Sequence, residues 1–324
     1  MSRHPKHGQV RRFPSQEETM MENATFTSPL ATAGKGQVIA RFGAECLTET
    51  SQGTLLRCTT RRKLEHLACG DYVQWEHQAQ GNAAITAILP RRNVLERPDL
   101  RGKPRPVAAN IDVLLVVASW QPPPVWETLD RYLIAAQRLP AEVLLVMNKA
   151  DLRRQYSTPA AEACLAEYEQ IGYRVLHIAA EQAQGIDALL PAIGERTAIV
   201  VGQSGVGKSS LAAQLLPQSD IRIGTLAETG EGRHTTTAAT LYHLPQGGHL
   251  IDSPGVRDFG LIGLDFATLE AGFPEFRPFL GACRFNNCTH NHEPGCAVKA
   301  AYQAGKLPPQ RFARYLTLLA NLQP

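Results

Sequence analysis

The sequence predicts a multi-domain α/β protein with an N-terminal OB-like β-barrel, a central domain on a parallel sheet and a C-terminal α-helical domain. Three observations support this fold class. Short alternating segments fill residues 34–93, strand and helix patterns alternate over residues 94–262, and cysteines and histidines cluster within residues 263–324. Residues 1–33 are polar and aperiodic, which is typical of a disordered basic arm.

The N-terminal segments "GQVIARFG", "GTLLRCTT", "GDYVQWEH" and "AAITAILP" alternate apolar and polar residues between turns of Gly, Asn and charged residues. This pattern and its length favour a five-stranded OB-like barrel, a fold that often binds nucleic acid. Trp75 lies on one of these segments. We interpret it as a core residue rather than a stacking platform, because aromatic residues on strands are more often buried.

The central domain follows residues 91–107, which are rich in proline and basic residues and are interpreted as a linker. Beyond them, strand patterns alternate with helix patterns, which indicates a parallel sheet with helices on both faces. The predicted strands are 111–118, 142–148, 174–179 and 198–202, and the predicted helices are 126–138, 158–170 and, near the end of the chain, 308–322.

Composition excludes several classes of protein. Charged residues make up 19% and hydrophobic residues 44%, as in ordinary soluble proteins. No apolar run approaches the roughly 18 residues of a membrane span, and the N-terminus lacks the apolar segment of a secretory signal. The odd count of 7 cysteines favours a reducing compartment. We therefore expect a cytoplasmic protein without a membrane partner.

The net charge of +3 is unevenly distributed. Basic residues without acids occupy residues 1–12, recur over residues 57–63, and recur from residue 294 to the end. Such stretches fit contact with a polyanion, because neutralising phosphates releases counterions. Composition alone leaves open the alternative of solvated basic faces.

A phosphate-binding loop, "GQSGVGKSS", follows the predicted strand 198–202 and precedes a predicted helix. Its glycines let backbone amides point at phosphates, and the helix N-terminus adds partial positive charge. Lys208 is expected to contact the β- and γ-phosphates, and Ser209 to bind Mg²⁺. The candidate nucleotide-binding residues of this loop are Gly202, Gln203, Ser204, Gly205, Val206, Gly207, Lys208, Ser209 and Ser210.

A D-x-P-G sequence and a threonine cluster complete a GTPase motif set. Asp252 follows the strand-like "GHLI" and is expected in the Mg²⁺ shell, and Gly255 is expected to contact the γ-phosphate. A threonine of "GRHTTT" would complete the metal shell, and Thr236 and Thr237 are equally suited. The alternative for these threonines is the start of a strand.

The guanine-recognition motif N-K-x-D consists of Asn148, Lys149 and Asp151. Asp151 is expected to accept hydrogen bonds from guanine N1–H and its exocyclic amine, while Asn148 and Lys149 brace the base and the loop. This motif precedes the phosphate-binding loop, whereas most GTPases have the opposite order. Loops at the strand ends of a parallel sheet are neighbours in space whatever their order in the sequence. The motifs therefore predict a circularly permuted P-loop GTPase domain.

Val256 follows D-x-P-G, where many GTPases place a glutamine that orients the attacking water. Valine cannot do so, and basal hydrolysis is therefore expected to be slow. His234 in the threonine-rich segment is a candidate catalytic residue that positions the water. A solvated loop histidine is the alternative interpretation.

A metal centre is predicted in "CRFNNCTHNHEPGC", which contains Cys283, Cys288, Cys296, His290 and His292. Three thiolates and one imidazole form a closed tetrahedral set, which suits one structural Zn²⁺. Three buried reduced cysteines are the alternative. Spacing alone does not choose between the two histidines.

Together these motifs resemble those of the ribosome small-subunit-dependent GTPase A (RsgA) family over about residues 34–322. The resemblance implies GTP hydrolysis that the small (30S) ribosomal subunit and its 16S rRNA stimulate during late maturation, by a monomer that binds GTP and GDP. Its pattern C-x4-C-x-H-x5-C selects His290 as the zinc ligand. One departure is "HIAA", 177–180, where a Ser-Ala pair usually supports the guanine base.

Two other classes of function are considered. A P-loop kinase or ATPase would not need N-K-x-D and would prefer ATP. A zinc-stabilised RNA-binding module would hold nucleotide as a static ligand and would not turn it over.

Overall fold

The structure, a computed structural model, describes residues 32–60, 64, 66–78, 82–99, 102–216, 239–253 and 265–322. The predicted arm of residues 1–33 therefore lies outside the described residues, apart from its last two. The chain from Ala33 onward forms one compact unit. Within the described ranges, no helix combines the length and the apolar character needed to cross a membrane.

The N-terminal strands form a closed five-stranded barrel, which confirms the OB-like prediction. They are β1 (Ala33–Phe42), β2 (Glu45–Thr50), β3 (Leu55–Thr60), β4 (Tyr72–His77) and β5 (Ala83–Ile88). The order β1-β2-β3-β5-β4 closes because β4 also pairs with β1. Trp75 is only 5% exposed in the barrel core, as predicted. Strand β2 was not singled out from the sequence, because its polar "ECLTET" lacks a clear apolar face.

Residues 91–107 do not form the predicted linker. Most of them belong to a hairpin of β6 (Val94–Pro98) and β7 (Pro104–Ala109). Leu95 and Ala108 lie opposite each other and are buried, which gives this basic segment an apolar anchor. The linker prediction was wrong because proline is tolerated in a two-stranded ribbon, where one edge of each strand needs no partner.

The central sheet confirms the predicted alternation of strands and helices. Its strands are β8 (Val113–Ser119), β9 (Glu142–Asn148), β10 (Arg174–His177), β11 (Thr197–Gly202), β12 (Thr240–His243) and β13 (His249–Asp252). They lie in the order β10-β9-β8-β11-β13-β12, and all neighbouring pairs are parallel except β12–β13.

Helices cover both faces of this sheet. They are α1 (Trp126–Ala136), α2 (Arg153–Tyr156), α3 (Pro159–Gln170), α4 (Ile186–Ile193) and α5 (Lys208–Leu215). Leu114 and Val116 of β8 pack in one cluster with α1 and α3, and Leu115 and Val117 pack in another with α4 and α5. This division follows from the alternation of side chains along a strand.

The barrel and the central sheet are joined edge to edge. Ala40 of β1 pairs with Thr240 of β12, so that eleven of the described strands form one continuous sheet. Beside this junction, His243 Nε2 lies 2.8 Å from Glu49 Oε2 of β2. The predicted domain boundaries at 33/34, 93/94 and 262/263 stay predictions.

Residues 265–322, called here the C-terminal module, contain the helices α6 (Phe266–Ala271), α7 (Ala297–Gln303) and α8 (Pro309–Ala320). Helix α8 confirms the helix predicted over 308–322. The module's aromatic core includes Phe273, Phe276 and Tyr315 and also takes in Ile134 of α1. A Cβ at Gly272 would overlap the side chain of Ile134, so glycine allows this close approach.

Two arginines of the basic C-terminal stretch face inward, which corrects the expectation that the stretch as a whole contacts a polyanion. Arg311 is fully buried and pairs with Asp130 of α1 and with Glu275. Arg314 pairs with Asp130 and with Glu167 of α3. Both guanidinium groups therefore form ion pairs with carboxylates of the chain itself.

Candidate active site and metal centre

The phosphate-binding loop joins β11 to α5 at the carboxyl edge of the central sheet. Gly202 (φ +149°) and Gly207 (φ +90°) adopt conformations that favour glycine. A Cβ at Gly202 would overlap the carbonyl oxygen of Val117, and one at Gly207 would overlap Nδ2 of Asn148. Both positions therefore need glycine for space as well as for backbone conformation.

Lys208, the first residue of α5, turns its ammonium group back over the loop. Its Nζ donates to the carbonyl oxygens of Gly202 (2.8 Å) and Gln203 (2.5 Å). Gln203 Oε1 in turn accepts a hydrogen bond from Val125 N at the start of α1 (3.1 Å). The loop is thus braced both by its own lysine and by the neighbouring helix.

Asn148 connects the N-K-x-D sequence to the phosphate-binding loop. Its Nδ2 donates to Val206 O (2.8 Å), and its Oδ1 accepts from the backbone N–H groups of Lys149 (2.8 Å) and Ala180 (3.0 Å). The side chain is buried. One amide therefore holds together three loops that lie far apart in the sequence.

Lys149 and Asp151 are the other two residues of the N-K-x-D sequence. Lys149 Nζ donates to Gly205 O (2.9 Å) and to Gln121 O (2.6 Å), which places its stem along the phosphate-binding loop. Asp151 is exposed, and Gln182 Nε2 donates to its Oδ2 over 3.4 Å. The carboxylate is therefore accessible to a base.

The segment 177–180 reaches the site through its backbone. The N–H of Ala180 donates to Asn148, so the absence of a serine in "HIAA" leaves this contact in place. Burial, with a smaller contribution from the charge of Arg153, lowers the pKa of His177 below its ordinary value. Burial therefore disfavours the protonated form of His177.

Asp252 ends β13 at the same edge of the sheet. Burial raises its pKa above the ordinary value, and the nearby charge of Lys208 partly offsets this. The exposed hydroxyl of Ser209 and this carboxylate are oxygen donors of the kind that Mg²⁺ prefers. The predicted residues His234, Thr236, Thr237, Gly255 and Val256 lie outside the described residues.

The metal centre brings together Cys283, Cys288, His290 and Cys296, whose ligand atoms all lie within 4.8 Å of one another. His290 Nδ1 lies 3.6 Å from Cys283 Sγ and 3.4 Å from Cys296 Sγ. These four residues could hold a metal ion. In the part of the chain that the structure describes, His292 does not belong to this group.

Some site residues were missed by the sequence analysis. Glu270 Oε1 lies 2.8 Å from His290 Nε2, an arrangement that fixes the imidazole so that Nδ1 faces the thiols. Gln121 and Val125 hold the nucleotide-site loops through backbone atoms. No sequence pattern could have found these residues, because none of them belongs to a local motif.

This geometry defines a class: a P-loop GTPase whose guanine-binding motif precedes its phosphate-binding loop. The chain belongs to the RsgA GTPase family, whose model matches residues 88–262. It is therefore an enzyme that hydrolyses GTP. Family membership decides against a P-loop kinase or ATPase and against a module that only holds nucleotide.

Curated relatives cover most of the chain. The small ribosomal subunit biogenesis GTPase RsgA of Azotobacter vinelandii is 47% identical over 292 residues, which are 89% of this chain and 85% of the relative. The protein of the same name from Pseudomonas aeruginosa is 46% identical over 288 residues, with the same coverage of both chains.

Two solved structures share the fold. YjeQ from Thermotoga maritima has a TM-score of 0.71 at 26% identity, covering 90% of this chain and 98% of that one. YloQ, described as a circularly permuted GTPase, has a TM-score of 0.69 at 25% identity, covering 90% and 95%. The predicted circular permutation is confirmed.

Proposed function

We propose that this chain acts in late maturation of the small (30S) ribosomal subunit, contacts its 16S rRNA, and hydrolyses GTP slowly until the subunit stimulates it. The observation that carries this proposal is the 47% identity, over 89% of the chain, to a relative named for small ribosomal subunit biogenesis. Arg57 on the barrel and Arg105 on the β6–β7 hairpin are exposed, and each pairs with an acid of the chain, Glu45 at 3.8 Å and Asp99 at 3.3 Å. Exposed pairs of this kind are weak, so both arginines can exchange these partners for RNA phosphates.

We propose the predicted roles for the site residues. Asn148, Lys149 and Asp151 recognise guanine, the loop residues 202–210 bind the phosphates, and the backbone of Gly255 meets the γ-phosphate. Ser209, Asp252 and a hydroxyl of Thr236 or Thr237 would hold Mg²⁺, which supplies positive charge beside the phosphates when it is bound. His234 is proposed to position the attacking water.

We propose Zn²⁺ as the ion of the metal centre. Three thiols and one imidazole form the donor set of closed structural zinc sites, and Glu270 beside His290 is the kind of second partner such sites use. This assignment would be contradicted if elemental analysis found no zinc in the purified protein.

The free state of all 7 cysteines supports a reducing, cytoplasmic location. The chain supplies every proposed site residue itself, which supports action as a monomer.

The subunit dependence is tested by GTP turnover with purified ribosomal subunits. We expect small subunits to raise the turnover number well above its basal value and large subunits to leave it unchanged. Slow basal hydrolysis is expected because Val256 cannot orient water. The proposed function would be contradicted if small subunits raised the turnover number no more than large subunits do. It would also be contradicted if small subunits left the turnover number at its basal value.

Guanine recognition is tested by the substitution Asp151→Asn. The new amide should donate to the 2-oxo group of xanthine, so the variant should weaken GTP binding and favour xanthosine triphosphate. Competition binding with both nucleotides measures this change. A variant with unchanged nucleotide preference would show that Asp151 does not read the base.

A further inference from the structure

The metal centre presents an exposed loop, called here the knuckle, which consists of Arg284, Phe285, Asn286 and Asn287. All four residues are exposed, and Phe285 keeps 40% of its surface accessible. The flanking residues Cys283 and Cys288 both belong to the metal-binding group. The knuckle is therefore a polar loop with one large aromatic side chain that the module's core does not cover.

The backbone holds the knuckle in a defined shape. Arg284 N donates to Gly295 O (3.0 Å), and Cys288 N donates to Phe285 O (3.2 Å). The guanidinium group of Arg284 lies 5.5 Å from the centre of the Phe285 ring. An exposed aromatic ring on a fixed backbone loses little conformational entropy on binding, so a partner that stacks on it gains most of the contact energy.

We propose that the knuckle binds an unpaired nucleobase of RNA by stacking it on Phe285. The guanidinium group of Arg284 lies over one face of the ring, so the base would stack on the opposite face. The charge of Arg284 attracts the phosphate backbone, and the asparagine amides can form hydrogen bonds to base edges. A protein partner fits less well, because the knuckle has no aliphatic residue to form the apolar centre of an interface. The sequence from residue 294 to the end contains no acid that would repel RNA.

This inference rests on the proposed function, because it names the part of the molecule that would contact the rRNA. Glu293 lies close to the knuckle in the sequence, but its negative charge does not keep RNA away from the knuckle. Its carboxylate accepts hydrogen bonds from the backbone N–H groups of Thr289 and Asn291 within its own loop. Lys299 and Lys306 add positive charge to the same module.

The test is binding of the zinc-loaded full-length protein to a fluorescent single-stranded RNA oligonucleotide and to its duplex. Phe285→Ala should weaken single-strand binding about tenfold, since the stacked base loses its aromatic platform. Phe285→Trp should restore it, and duplex binding should hardly change. Tyr302→Ala is the matched control, because Tyr302 is 37% exposed on the same module but stacks on Phe312.

Basal GTP hydrolysis and zinc content should be the same in all of these variants. Equal single-strand affinity of the Phe285→Ala variant and the parent would overturn the proposal. So would an equal loss of affinity in the Tyr302→Ala variant. Failure of the proposed function would look different, because the parent protein would then not respond to small subunits at all.

Discussion

Replacing Lys208 with alanine should lower GTP turnover about 100-fold or more. Its ammonium group lies over the phosphate-binding loop, 2.8 Å from Gly202 O, where it can meet the charge that develops on the transferred phosphoryl group. Stabilisation of this kind is large because the donor is already positioned before the reaction. Single-turnover hydrolysis at saturating GTP, with and without small subunits, measures the effect.

Two controls separate chemistry from folding in this experiment. Lys299→Ala removes a lysine of the C-terminal module and should leave turnover without subunits unchanged. Thermal unfolding of the Lys208→Ala variant should resemble that of the parent, because the substitution removes hydrogen bonds to loop carbonyls rather than packing in the apolar core. Near-normal turnover in a folded Lys208→Ala variant would refute the assignment of this loop.

Replacing Arg311 with alanine should destabilise the protein by about 3–5 kcal/mol, because the buried carboxylates of Asp130 and Glu275 lose a charged partner. Asp130 would keep its ion pair with Arg314. The Arg311 side chain is 0% exposed, and it donates to Asp130, to Glu275 Oε1 (2.8 Å) and to Gly272 O (3.1 Å). Its guanidinium group also lies 4.2 Å from the centre of the Phe273 ring. One side chain thus ties the C-terminal module to helix α1.

A second contact strengthens the same attachment. Glu167 of α3 accepts hydrogen bonds from the backbone N–H groups of Gln310 (2.9 Å) and Arg311 (3.0 Å) at the first turn of α8. It satisfies helix-end donors from outside the helix, as a capping residue does from within it. The Arg311→Ala variant keeps these backbone hydrogen bonds but loses the side-chain ion pairs. We therefore expect limited proteolysis to cut its C-terminal module before the central domain.

Arg153→Ala is the matched control for Arg311→Ala. Arg153 also forms a two-pronged ion pair, with Glu162 at 2.9 and 2.7 Å, but the two side chains keep 44% and 33% of their surface accessible. Exposed pairs contribute about 0–1 kcal/mol, so this variant should unfold almost as the parent does in urea. Equal losses in the free energy of unfolding for the two substitutions would show that the burial of Arg311 adds nothing to stability.

The predicted chemistry of the site rests on short sequence motifs. The glycine spacing of the phosphate-binding loop, N-K-x-D and the cysteine spacing each lie within a short segment, and each predicts a contact that depends on local backbone geometry. The parallel sheet then followed from the alternation of strand and helix patterns. The site could be predicted although its motifs occur in permuted order, because parallel strands bring their carboxyl ends to one edge of the sheet.

How these parts pack together depends on contacts between distant segments of the chain. The sequence could not show that β12 pairs with β1, because an edge strand carries no mark of its distant partner. It also could not separate buried Arg311 from solvated lysines, since a charged residue enters the interior only where carboxylates from other segments surround it. The same reason explains Glu270 beside His290: hydrogen bonds between side chains far apart in the sequence depend on packing, which local patterns do not encode.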